Sequence, residues 1–291
     1  MFFGSIPALV TPFSGGRVAE DTFRESVEWQ IAEGSNGLVP CGTTGEVATL
    51  SAEEHRQVIT ATVEVAKGRV PVIAGCGTYS TEASIERTRA AADLGADAAL
   101  IVVPYYNKPS QMGLVAHFTA IAEASPIPIV VYNVPSRTVA DISVESLAEA
   151  AKHPKIVAVK DATGNLARVT AQRLACGKEF VQLSGNDDMA LGFNAMGGVG
   201  CISVTANVAP RLCSDFQKAM RNRDWDEAVR LQDGLYPLHA ALFTDASPAP
   251  AKYALSRVRP GFPQELRLPL VDASDASKRA VDAALEHAGL I

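Results

Sequence analysis

Short apolar runs alternate with longer amphipathic stretches from the N-terminus to about residue 220, with a repeat of roughly 25 to 30 residues. The runs Ser5 to Val10, Gly37 to Pro40, Val70 to Ala74, Ala98 to Val103, Ile127 to Tyr132, Lys155 to Lys160, Phe180 to Leu183 and Val199 to Val204 predict eight strands. Between them, Ser51-Ala52-Glu53-Glu54 reads as a capping box that opens a helix with Val58, Thr62 and Val65 on one face. Gly34, Gly68 and Gly95 fall where helices should stop. Repeated βα units of this kind predict an α/β fold, a (β/α)8 barrel of the TIM type, with catalytic groups at the C-terminal strand ends. A doubly wound open sheet is the alternative; it more often carries a glycine-rich dinucleotide turn after its first strand, and Thr11-Pro12-Phe13-Ser14-Gly15-Gly16 is no such turn. Beyond the eighth unit, Trp225, Val229, Leu235, Leu238 and Leu242 repeat at helical spacing, and Ala276 to Ala288 reads as a further helix. The expected division is a barrel over residues 1–222 and a C-terminal α-helical segment over 223–291, which packs on the barrel or another subunit or simply extends one core.

Composition narrows the possible functions. With 291 residues and 47% hydrophobic content the chain can bury a large core, which excludes disorder. A net charge of −6 without long runs of one sign leaves no footprint for nucleic acid and no stripe for a membrane surface. Any anionic substrate must therefore be held by a local cluster. No window approaches the ~20 apolar residues that span a bilayer, and the start lacks a basic region before an apolar stretch, so a cytoplasmic enzyme is expected. The cysteines Cys41, Cys76, Cys176, Cys201 and Cys213 are odd in number and widely separated, which suits reduced, packed thiols.

Candidate chemistry gathers at the predicted strand ends. Lys160 ends the apolar run Ile156-Val157-Ala158-Val159-Lys160, and none of the other lysines in polar segments resembles it. Burial disfavours an ammonium, so this position suits a nucleophilic amine that condenses with a carbonyl; a lysine snorkelling toward water is the structural alternative. Cys41-Gly42-Thr43-Thr44-Gly45-Glu46 follows the second strand as a tight turn whose hydroxyls and N–H groups suit a carboxylate, although backbone geometry alone would also explain its glycines. Tyr106 follows the fourth strand and Tyr132 ends the fifth, where phenols relay protons or simply pack. Arg137 lies just past Tyr132 and could hold a carboxylate with its planar fork. All of these residues fall at one end of different strands and would converge on one barrel mouth. The histidines show no metal-ligand spacing, so no metal is expected. Gly197-Gly198-Val199-Gly200 lacks an adjacent cation, which favours tight backbone packing over a phosphate site.

Gly42-Thr43-Thr44-Gly45-Glu46, Tyr105-Tyr106-Asn107-Lys108-Pro109, Tyr132-Asn133-Val134-Pro135-Ser136-Arg137-Thr138 and Val159-Lys160-Asp161-Ala162-Thr163-Gly164 closely resemble the dihydrodipicolinate synthase family, the 4-hydroxy-tetrahydrodipicolinate synthases. The likeness covers essentially the whole chain, and the lysine and threonine turn are shared with the wider pyruvate-dependent class I aldolases, including N-acetylneuraminate lyase. The resemblance implies a lyase of lysine and diaminopimelate biosynthesis that works without a cofactor, through a covalent Schiff base between Lys160 and pyruvate. The enamine formed from it attacks L-aspartate 4-semialdehyde. It further implies that Thr43 and Thr44 hold the pyruvate carboxylate, that Arg137 meets the carboxylate of the aldehyde, and that Gly185 and Ile202 line the pyruvate pocket. Tyr132, Thr44 and Tyr106 would relay protons, with Tyr106 supplied by a neighbouring subunit, and dimers would pair into a homotetramer. In lysine-inhibited members an asparagine and a glutamate stand where this chain has Tyr79 and Ala83, while His55 and Tyr105 match. Weak or absent lysine feedback is therefore expected.

Two other functions share parts of this pattern. A related aldolase acting on a sugar acid would use the same lysine with a different aldehyde. A barrel that serves only as a binding or assembly protein would normally have lost a catalytic residue, and none is missing here.

Overall fold

The computed structural model describes residues 2–291. In chain order its strands are β1 (Gly4–Pro7), a short hairpin of β2 (Phe13–Ser14) and β3 (Arg17–Val18), then β4 (Ile73–Gly75), β5 (Ala98–Val102), β6 (Ile129–Asn133), β7 (Ile156–Asp161), β8 (Val181–Ser184) and β9 (Gly200–Ser203). Apart from the hairpin they form one parallel sheet in the order β1-β9-β8-β7-β6-β5-β4. Residues 37–40, expected as the second strand, join its two edges. Ala8 bridges to Val39 and Leu38 to Val72, both in parallel. Four backbone hydrogen bonds of 2.9 Å support the junction: Leu38 N–H to Pro71, Val39 N–H to Pro7, Leu9 N–H to Val39 and Ile73 N–H to Leu38. The ring of eight units is closed, which excludes the open doubly wound sheet. Ile6, Val39, Ile73, Leu100, Val130 and Ile202 fill its interior.

Strand ends differ from expectation where side chains replace the ladder. β1 stops at Pro7 rather than Val10 because Asn207 takes over: its Oδ1 accepts from Val10 N–H at 3.0 Å and its Nδ2 donates to the Ala8 carbonyl at 2.8 Å. β7 runs one residue past Lys160 to Asp161. The Gly15-Gly16 turn, with φ of 59° and 77°, closes the hairpin in a conformation that side chains resist, and both N–H groups donate to the Glu265 carboxylate at 2.8 and 2.7 Å.

The capping box is present: Glu54 N–H donates to Ser51 Oγ at 3.1 Å and Ser51 N–H to Glu54 Oε2 at 2.9 Å, opening the helix Ala52–Ala66. The C-terminal segment contains the helices Trp225–Ala241, Ala249–Val258 and Asp275–His287. Leu235, Leu238 and Leu242 pack with Val10, Val204 and Val281, so this segment shares a core with the barrel. Trp225 and Val229 depart from the expected stripe, being 48% and 44% exposed. The buried stripe runs instead through Ala228, Leu231, Leu235 and Leu238. The helix Ala249–Val258 was not foreseen, because Pro248 and Pro250 disguise its start.

Arg267 reaches from this segment to both carboxylate oxygens of Glu54 at 2.7 and 2.5 Å. The Arg267 guanidinium holds Glu54 down at about 2, from an ordinary 4.5. A carboxylate whose folded pKa is depressed adds stability that is complete above its unfolded pKa and is lost as pH falls through the folded value. Glu54→Gln keeps the capping box. We expect it to cost roughly 1 kcal/mol at pH 7 and to flatten the fall in stability between pH 4.5 and about 2, read by urea unfolding across that range. An acid limb as steep as that of the unsubstituted protein would contradict this role for the pair.

Candidate active site

Adjacent barrel strands in register bring the site together. Tyr132 on β6 pairs with Lys160 on β7, and Asn133 pairs with Asp161. Because successive side chains alternate across a strand, Lys160 and Tyr132 share the inner face, while Asn133 and Asp161 face the helical layer. Lys160 is only 6% exposed and its Nζ lies 4.2 Å from the centroid of the Tyr132 ring. Gly185, just past β8, leaves the lysine its path. A Cβ there would meet Lys160 Cε at 3.2 Å and Ala162 Cβ at 2.6 Å.

The end of β7 is held from behind. Asp161 accepts from Thr163 N–H at 2.9 Å, Thr163 Oγ1 at 2.6 Å, Arg168 Nε at 3.0 Å and Gln172 Nε2 at 2.7 Å. This network fixes the backbone that carries Lys160. The Asp-Ala-Thr spacing was its only trace in the sequence, as an aspartate that caps its own turn.

Beside the lysine, the threonine turn is tighter than its sequence suggested. Gly45 N–H donates to Gly42 and Glu46 N–H to Thr43, both at 3.1 Å, so two expected donors are spent inside the turn. Among the described residues the N–H groups of Thr43 and Thr44 have no acceptor. These two therefore remain to meet an oxyanion, with their side-chain hydroxyls. Glu46 adopts φ of 55°, a left-handed conformation that glutamate rarely takes. It is held there by Lys252, whose Nζ donates to Glu46 Oε1 at 2.5 Å, and by Arg267 N–H, which donates to Oε2 at 3.1 Å.

Thr43, Thr44, Tyr132, Arg137, Lys160 and Gly185 line one cavity of about 470 Å³ at the C-terminal end of the strands. Arg137 stands exposed at its rim, in the short helix Pro135–Thr138. A larger cavity of about 650 Å³ opens near Phe3, Gly4 and Val199, at the opposite end of the barrel. It holds none of these residues.

Two expected site residues lie elsewhere. Tyr106 is 90% exposed, has φ of 66° and is not part of the cavity wall, so within one chain it does not converge with the others. Ile202 is fully buried in the barrel interior and does not reach the cavity surface. Other expectations concern residues outside the cavity. His117 is a buried helix residue bonded through Nδ1 to Thr81 Oγ1 at 2.9 Å, and burial holds its pKa down at about 4. Burial pushes the Cys41 thiol well up and that of Cys76 up to about 12, which suits packing and disfavours nucleophilic chemistry. Gly198 and Gly200 press against Phe193 and Gly4, so the glycine run is a packing device. Tyr79 stacks edge-on against Tyr105 at 5.3 Å, while His55 is buried with Nε2 2.8 Å from the Gly75 carbonyl.

One whole wall of the cavity carries no local signal in the sequence. Asp187 and Asp188 follow β8, and His239, Ala240, Phe243 and Ser247 come from the C-terminal segment; all line the cavity with Lys160. The segment therefore contributes to the site as well as to the core. Among the described residues, no group of three or more His, Cys, Asp or Glu is arranged to hold a metal ion, and no helix is long and apolar enough to cross a membrane.

Comparison with known proteins gives a consistent result. The profile of the Dihydrodipicolinate synthetase family matches residues 1–288. The 4-hydroxy-tetrahydrodipicolinate synthase of Zymomonas mobilis is 63% identical over 291 residues, covering all of both chains. That of Rhizorhabdus wittichii is 61% identical over 290 residues, again across the full length of both. Among solved structures, the chloride-inhibited dihydrodipicolinate synthase of Acinetobacter baumannii complexed with pyruvate superimposes with a TM-score of 0.97 at 43% identity, covering 100% of each chain.

Proposed function

The chain belongs to the dihydrodipicolinate synthetase family, and from that premise we propose that Lys160 is the amine that captures pyruvate. The overall reaction condenses pyruvate with L-aspartate 4-semialdehyde to 4-hydroxy-tetrahydrodipicolinate, a lyase step of lysine and diaminopimelate biosynthesis. The observation that carries the assignment of roles is the pairing of Lys160 with Tyr132 across β6 and β7, beside the only residue type that leaves the lysine room, Gly185.

In this reading pyruvate enters with its carboxylate on the N–H and hydroxyl groups of Thr43 and Thr44. Lys160 Nζ attacks the keto carbon, water leaves, and an imine forms. The imine withdraws electrons from the methyl carbon, so loss of a methyl proton gives an enamine without help from a metal or organic cofactor. The enamine carbon then adds to the aldehyde, whose carboxylate is held by Arg137 at the rim. Tyr132 and Thr44 move the protons, and Tyr106 completes the relay from a second subunit. Its 90% exposure and separation from its own cavity support that arrangement, which makes a dimer the smallest complete catalyst and a homotetramer the expected assembly. A cytoplasmic setting fits the five free cysteines. Residues 1–222 form the catalytic barrel in this reading and 223–291 the helical segment that braces it. Lysine feedback is weak or absent, because Tyr79 and Ala83 supply no carboxylate for the inhibitor's ammonium groups.

A coupled assay tests the substrate assignment. Pyruvate should be consumed only when L-aspartate 4-semialdehyde is supplied; release of pyruvate from N-acetylneuraminate would favour a sugar-acid aldolase instead. The relay has its own test. Tyr106→Phe removes one hydroxyl, and we expect kcat to fall roughly 10²-fold with assembly unchanged in sedimentation. Turnover equal to that of the unsubstituted protein would remove Tyr106 from the relay.

A further inference from the structure

The cavity wall carries charges of both signs. Lys160 and Arg137 line it together with Asp187, Asp188 and His239. Asp187 is satisfied by neutral donors alone: Ser203 Oγ, Val204 N–H at 2.9 Å, Thr205 N–H at 3.3 Å and the Cys201 thiol at 3.8 Å. No cation is hydrogen-bonded to it among the described residues. Asp188 is exposed on the same wall. His239, 5% exposed on the helix Trp225–Ala241, is fixed through Nδ1 to Thr205 Oγ1 at 2.8 Å. Its other ring nitrogen, Nε2, has no hydrogen-bond partner among the described residues. Burial holds this histidine below its usual 6.5, with Asp187 and Asp188 pulling the other way. The result is an oriented imidazole beside two carboxylates.

This arrangement deepens the reading above and rests on it. The aldehyde substrate carries an ammonium as well as a carboxylate, and Arg137 can answer only the second. We propose that Asp188 and His239 form the ammonium subsite, with His239 as the base for ring closure. After the carbon–carbon bond has formed, the substrate is still attached to Lys160 as an imine. His239 Nε2 takes one proton from the ammonium. The freed amine attacks the imine carbon and a new N–C bond forms. Its two N–H protons pass to Lys160 Nζ as the C–N bond to that nitrogen breaks, which leaves the cyclic imine and a neutral lysine amine. His239 gives its proton to solvent, so no further reactant is needed and the enzyme ends as it began.

Two variants of the protein test the proposal, each with a readout that a merely structural role would not move. Asp188→Asn should raise KM for L-aspartate 4-semialdehyde about ten-fold while KM for pyruvate stays constant. His239→Gln should lower kcat roughly 10²-fold. During turnover it should also accumulate a borohydride-reducible adduct on Lys160 with the mass of pyruvate plus aldehyde. A rise in both KM values together, or a slowed His239→Gln enzyme whose trapped adduct carries pyruvate alone, would overturn the subsite. Failure of the unsubstituted protein to trap pyruvate would overturn the Lys160 reading beneath it.

Discussion

Lys160→Ala should lower turnover by roughly 10⁴-fold or more and abolish the borohydride-trapped pyruvate adduct, while the barrel remains folded. The size of the effect follows from the covalent route. Without an imine, the pyruvate methyl carbon has no adjacent electron sink, and neither the hydroxyls of Thr43 and Thr44 nor the Arg137 guanidinium can form one. The fold should survive because the ring does not depend on this side chain for closure: the β6–β7 ladder runs through backbone groups, and Asp161 is anchored by Arg168, Gln172 and Thr163. Steady-state assay and circular dichroism of the same preparation separate the two statements. A variant that retains a tenth of the original kcat would remove Lys160 from the chemistry.

A second lysine should matter as much for stability as Lys160 does for turnover. Lys252 is 0% exposed, and its Nζ donates to Glu46 Oε1 at 2.5 Å and to the Glu265 carbonyl at 2.7 Å. Burial pulls its pKa down, while the Glu46 carboxylate beside it pulls the other way. Lys252→Met keeps the volume but leaves Glu46 as a buried carboxylate without its cation. Removing one partner of a buried pair typically costs about 3–5 kcal/mol, and for a chain of this size each kcal/mol lowers Tm by roughly 2–4 °C. Glu46 N–H also closes the threonine turn on Thr43 at 3.1 Å, so KM for pyruvate should rise as the turn loosens. Adding Glu46→Gln to Lys252→Met removes the stranded charge and should restore much of the lost stability. Thermal unfolding of both variants reads the effect, and a Tm within about 2 °C of the original for Lys252→Met would show that the pair holds nothing together.

How legible these features were depended on how local their physics is. The capping box at Ser51 and Glu54, the stops at Gly34, Gly68 and Gly95, and the apolar β-branched strands all arise from interactions within a few residues, so the barrel could be read directly. So could Lys160, Tyr132, Thr43, Thr44 and Arg137, because each sits at a strand end and closure of the barrel brings strand ends together, whereas only the family resemblance pointed to Gly185. What escaped was long-range. Nothing near Lys252 shows that it will be buried against Glu46, 206 residues away. His239 reads as one more residue in a helix until that helix crosses the barrel mouth. Trp225 and Val229 obey helical periodicity yet face outward, since periodicity finds an apolar stripe without showing where the core ends. Tyr106 follows a strand end but lies outside the cavity of its own chain, and only the family resemblance, not its local sequence, pointed to a place in a neighbouring subunit.

Pyruvate held through the amine of Lys160 leaves a covalent mark that reduction makes permanent. The protein is incubated with pyruvate, reduced with borohydride, digested and mapped by mass spectrometry. A single pyruvate-derived addition is expected on the peptide that contains Lys160. An addition on any other lysine, or none at all, would remove Lys160 as the amine that captures pyruvate.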